Sequence, residues 1–89
     1  MNKKQLKSLS KKLKVLSDPT RLAIINELEK PKFVKDVNKV LKVENTLLAH
    51  HNARLRKAGY IEGVRMGKCV QYSRTASCPK LNVLMGCVK

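Results

Sequence analysis

Gly59 divides this chain into two regimes of hydrophobic spacing, and that division constrains the fold more than any other feature of the sequence. Before it, apolar residues recur three and four apart: Leu6, Leu9, Leu13 and Leu16; then Leu22, Ile25 and Leu28; then Val34, Val37, Val40 and Leu41. This is the spacing of one face of an α-helix. After it, residues 60–65 and 69–74 form two strand-length runs joined by the turn Met66-Gly67-Lys68, which is the pattern of a β-hairpin.

Local punctuation sets the boundaries. A first helix is expected over 4–16, with Lys4, Lys7, Lys11, Lys12 and Lys14 on its other faces. Ser17-Asp18-Pro19 stops it and starts a second helix over 19–29, because Asp suits the N-cap and Pro the first helical position, where no amide donor is needed. Ala23 and Ile24 widen its apolar face, and Pro31 ends it. The third segment, 33–42, is Val-rich; β-branched residues weaken helix propensity, so tertiary packing must hold it. A turn at 42–45, with Asn45 as the expected cap, leads to a fourth helix over 46–58, and Gly59 supplies the left-handed exit. Pro79 opens a last helix over 79–88. The fold class is therefore mainly α with a small β-hairpin, in the order of a winged helix-turn-helix (α1-α2-α3-α4-β1-β2-α5), with the fourth helix in the recognition position and the hairpin as wing.

Eighty-nine residues are read as a single domain over 1–89, small enough to gain stability by pairing. Twenty Lys and Arg against six Asp and Glu give a net charge of +14, which calls for a polyanionic partner. Double-stranded DNA fits, since neutralised phosphates release counterions and drive association. Phe33, Tyr60 and Tyr72 are the only aromatics, which leaves no stacking platform for single-stranded nucleic acid. No run of apolar residues is long enough to span a bilayer and no apolar signal core follows Met1, so no membrane partner is expected and the location is read as cytoplasmic and nucleoid-associated. Six scattered carboxylates, with no Gly-rich phosphate loop and no nucleophile beside a base, predict no enzyme, no cofactor and no small-molecule substrate. The same charge also suits a sequence-neutral architectural coater of DNA.

Helix geometry, at about 100° per residue, sorts the fourth helix into faces. With Leu48, Leu55 and Ala58 buried, the residues Thr46, Ala49, His50, Ala53 and Lys57 project outward. Thr46, Ala49 and His50 lie in the first turns, which reach base edges, and His50 is the candidate base reader; Arg54 and Arg56 suit phosphates or a groove wall, and Asn45 is a further DNA-contact candidate. In the wing, Arg65 and Lys68 suit the minor groove or its phosphates. The six Lys of residues 1–14 fit either a solvated face or contact with the DNA backbone. His51 points away from His50 and is expected to be packed and hydrogen-bonded, so no metal site is expected there. Asn52, at the edge of the buried side, must find a partner in another helix, water or DNA.

Leu16-Ser17-Asp18-Pro19-Thr20-Arg21-Leu22-Ala23-Ile24-Ile25 resembles the second-helix signature of the ArsR/SmtB family of small repressors. His50-His51, Leu55-Arg56-Lys57-Ala58-Gly59-Tyr60-Ile61, Gly67-Lys68, Val70 and Tyr72-Ser73 resemble that family's recognition helix and wing, so the likeness covers residues 13–74. Asn52 departs from it, where the family carries Leu. The resemblance implies a homodimer built from the first and last helices that binds a palindromic operator and is released by a signal. Leu6, Leu9 and Leu13, with Leu81, Leu84, Met85 and Val88, are the matching interface candidates. Phe33 and Lys35 stand where metal-sensing members carry Cys-x-Cys, and residues 79–89 hold no His, Asp or Glu, so neither family metal site is expected.

Cys69, Cys78 and Cys87 are odd in number and include no Cys-x-x-Cys pair, which argues against a disulfide framework. A regular last helix would set Cys78 and Cys87 on opposite faces about 13 Å apart along the axis, so any pairing would cross a dimer. Cys78, beside Lys80 at a helix start, is expected to have a lowered pKa, and Cys78 with Cys87 is the candidate redox or metalloid sensor. The alternative is that all three thiols are buried or incidental.

Overall fold

A computed structural model describes residues 1–86. It contains α1 (Lys3–Val15), α2 (Pro19–Glu27), β1 (Lys32–Phe33), α3 (Val34–Leu41), α4 (Asn45–Lys57), β2 (Ile61–Met66), β3 (Cys69–Arg74) and α5 (Leu81–Met85).

Capping chemistry sets most helix starts. Asn2 accepts from the amide of Gln5 at 2.8 Å while the Gln5 side chain accepts from the amide of Asn2 at 3.0 Å, a reciprocal capping box on α1. Asp18 accepts from the amide of Arg21 at 3.1 Å, and Pro19 occupies the first helical position of α2, as the sequence predicts. The start of α4 differs from expectation by one residue. Glu44, not Asn45, is its cap, accepting from the amides of Thr46 at 3.0 Å and Leu47 at 3.2 Å. A carboxylate side chain one methylene longer than that of Asn reaches both amides from one position earlier. Gly59, at φ +85°, closes α4: its amide donates to Arg56 and that of Tyr60 to Leu55, so two carbonyls at the helix end are satisfied.

The sheet has three antiparallel strands in the order β1-β3-β2. Lys32 pairs with Tyr72 and Phe33 with Gln71, so the residue expected to begin the third helix belongs to a strand instead. Two residues are too few for a period to show in sequence; the open edge of β3 creates this strand. Gly67, at φ +65°, takes the first central position of the wing turn, and Met66 faces Cys69 across it.

One core joins these elements. Ile24, Ile25 and Leu28 from the α2 region, Val37 from α3, Leu48 and Leu55 from α4, and Ile61 from β2 are its largest buried side chains. Tyr72 closes the sheet side, and Gly63 opposite it leaves the space the ring fills: a Cβ there would lie 2.8 Å from the Tyr72 ring. Leu16, expected on the leucine face of the first helix, is its C-cap and is buried in this core.

The last helix is later and shorter than expected. Pro79 precedes it, Lys80 is its cap, and it runs Leu81–Met85; Cys87 and Val88 lie outside the described residues. Among the described residues, no helix is long and apolar enough to cross a membrane.

Candidate nucleic-acid interface

The second helix of the helix-turn-helix pair, α4, buries Leu48, His51, Asn52 and Leu55 and leaves its opposite face in solvent. Thr46, Ala49, His50, Ala53, Arg54, Arg56 and Lys57 are all exposed, so the faces drawn from helix geometry are the faces of the structure. Asn45 is also exposed, and its side-chain oxygen accepts from the Asn38 amide, a bond that ties the start of α4 to α3.

Two clefts flank this outward face. On one side, α3, α4 and the hairpin enclose about 680 Å³, into which Lys35, Arg56 and Lys68 bring positive charge. Asn45 and Ala49 line its α4 wall, and Cys69 its wing wall. Arg56 is oriented by donating to the Tyr72 hydroxyl at 3.2 Å. On the other side, Arg54 and Lys57 turn toward α1 and meet Lys11 and Lys12 across a cleft of about 460 Å³. The expected contact residues therefore do not form one patch: Asn45, Ala49, Arg56 and Lys68 gather beside the wing, and Arg54 and Lys57 beside α1. Arg65 is exposed on β2 near the wing turn.

Glu44 matters to the electrostatics of the helix start. Its hydrogen bonds from Thr46 hold its carboxyl below the usual range, so it stays ionised where the α4 dipole is positive.

His51 is packed and hydrogen-bonded, as expected. It is 8% exposed, and its Nδ1 accepts from Arg21 Nε at 3.1 Å, with Asp18 Oδ2 at 3.6 Å. An accepting Nδ1 carries no proton, whereas an ion pair with Asp18 would need one. Burial pushes the imidazole pKa down and Asp18 opposes this only in part, which favours the neutral ring. Arg21, which also donates to the Val15 carbonyl at 3.3 Å, is a residue that sequence reasoning missed. A pairing thirty residues apart leaves no local signature.

Asn52 is 3% exposed, and its Oδ1 has no hydrogen-bond partner among the described residues. It lies at the edge of the wing-side cleft.

The cysteines depart from expectation. Cys69 and Cys78 are free and half-buried. Burial pushes the Cys78 thiol up, with Arg74 opposing only in part, so its pKa is raised where the sequence reading had it lowered. The late helix start removes the expected helix-terminus effect: Cys78 lies three residues before Leu81, and its Sγ points to the Pro79 carbonyl at 3.7 Å.

The two terminal apolar faces differ in exposure. Ser8, Lys11, Lys12 and Val15 form the side of α1 turned to α4, and Leu6, Leu9 and Leu13, on the opposite side, are 51, 39 and 49% exposed. In α5, Leu81 and Leu84 pack onto the chain's own core, and Met85 is exposed. Among the described residues, no group of three or more His, Cys, Asp or Glu is placed to hold a metal ion.

Neither a family model nor a curated protein matches this sequence. Solved structures do match the fold. The homodimeric winged helix-turn-helix DNA-binding domain of Mb0332 from Mycobacterium bovis, described as a possible ArsR-family transcriptional regulator, superposes with a TM-score of 0.82 at 19% identity, covering 99% of this chain and 86% of that one. Rv0081 of M. tuberculosis gives 0.81 at 25% identity, covering 97% and 86%. The transcriptional repressor BigR from Xylella fastidiosa gives 0.72 at 24% identity, covering 86% and 84%. The architecture expected from sequence, a winged helix-turn-helix, is thus the architecture of the chain.

Proposed function

We propose that this chain is a transcriptional regulator of the ArsR/SmtB type, a repressor that binds a palindromic DNA operator as a homodimer. The observation that carries this reading is the outward face of α4, set between two clefts lined by cations and continuous with an exposed wing. An α-helix with its side chains is about 10–12 Å across, which matches the width of the major groove. In this reading Thr46, Ala49 and His50 meet base edges, Asn45, Arg54, Arg56 and Lys57 meet the groove walls and phosphates, and Arg65 and Lys68 reach the minor groove. Pairing of two copies uses Leu6, Leu9 and Leu13 with Met85, whose exposure leaves an apolar face that a second chain covers. The structural likeness to a homodimeric DNA-binding domain and to a repressor supports the same assembly and role. It is not read as an enzyme, and no cofactor enters the reading.

Competition binding at physiological salt tests it. A repressor holds its own site about 10³-fold or more above random duplex. Equal affinity for both would instead identify a sequence-neutral coater of DNA, the function its charge alone would support.

A further inference from the structure

Cations crowd the α1 side of α4 without the acids that would balance them. Lys11, Lys12, Arg54 and Lys57 border the cleft of about 460 Å³, and an adjoining hollow of about 430 Å³ adds Lys14 and Arg21 while sharing Lys11 and Arg54. Among the described residues, no carboxylate lines either one. Asp18, the acid next along the chain, caps the amide of Arg21 and lies 3.6 Å from His51 beside the Arg21 side chain, which leaves Lys11, Lys12, Lys14, Arg54 and Lys57 as the cations facing the clefts. Like charges held together on two helices repel unless an anion lies between them.

We propose that this double cleft seats one sugar–phosphate strand of the duplex, making α1 part of the DNA-binding surface. The inference rests on the reading of α4 as the helix in the major groove. A major groove has a phosphate strand on each side. The wing-side cleft, with Lys35, Arg56 and Lys68, faces one strand, and the cleft beneath α1 faces the other. The start of α4 does not supply this charge, because Glu44 already occupies its amides. Phosphate binding therefore falls to side chains on the two flanks. α1 then has two working faces: leucines outward for a second copy, lysines inward for DNA.

The test uses the full chain and a duplex selected by it from a random pool, with affinity measured across a salt series. Each phosphate contact contributes about 0.9 to the slope of log affinity against log salt. The variant Lys11→Gln/Lys12→Gln/Lys14→Gln is compared with Lys3→Gln/Lys4→Gln/Lys7→Gln, which removes the same charge from the far part of α1. All six lysines are exposed, so both variants keep the fold, checked by circular dichroism. The first variant is expected to lower the slope by about 2–3 and the affinity about ten-fold or more, and the second to lower the slope by less than about 1. Equal effects from the two would mean that only net charge matters, and an unchanged slope in the first would mean no contact; either overturns the proposal while leaving the α4 reading intact. Wild-type protein that selects no duplex would overturn that reading itself, and this inference with it.

Discussion

Arg21 Nε donates to His51 Nδ1 at 3.1 Å, joining the first turn of α2 to the buried face of α4. The bond requires the imidazole to be unprotonated on that nitrogen, and burial favours the same state. His51 thus ties α4 to α2, and its protonation should weaken that tie.

The sign of the pH effect follows from the lowered pKa. An unfolded imidazole takes up its proton near about 6.5, the folded one only at lower pH. Between the two values the unfolded chain binds more protons, so stability is fully present above about 6.5 and is lost as pH falls through the folded value. Melting temperature should drop as pH is lowered from about 7.5 to about 5.5, and His51→Gln, which keeps an acceptor for Arg21, should flatten that drop. A melting temperature that holds or rises on acidification would contradict this.

Asn52→Leu should stabilise the fold. The substitution removes an amide oxygen that is buried without a partner, an arrangement costing about 1–3 kcal/mol. For a chain of this size each kcal/mol moves the melting temperature by about 4–8 °C. Calorimetry showing a lower melting temperature would mean that the amide is satisfied after all.

Leu9→Glu/Leu13→Glu should separate the proposed dimer without unfolding the subunit, because α1 has no buried residue. Sedimentation velocity should move from a two-subunit mass to a one-subunit mass, with helical content unchanged. A mass that stays at two subunits would place the interface elsewhere.

Cys78 should be a slow thiol. With its pKa raised by burial, alkylation by iodoacetamide in the native chain at about pH 8 should be slower than in urea, read by peptide mass mapping. Native-state labelling as fast as in urea would restore it as a sensor candidate.

Much of this was legible in the sequence because it is local. Asp18-Pro19 marked the start of α2, Gly59 the end of α4, and Gly67 the wing turn, each by a backbone requirement that few residue types meet well. The outward face of α4 followed from periodicity. What escaped is non-local. β1 exists only because β3 offers it an edge, and Arg21 matters only because folding brings it to His51. The split of the α4 cations between two clefts depends on where α1 and the wing come to rest. Pro79 misled for the opposite reason: a residue suited to the first position of a helix is equally suited to the extended stretch before one.

Sequencing of duplexes selected from a random pool by the full chain tests the central claim most directly. Two α4 helices presented by a symmetric pair of chains should enrich a two-fold symmetric sequence whose half-sites lie about 10 base pairs, or a multiple of that, apart. A pool that stays random, or a single site without symmetry, would contradict it.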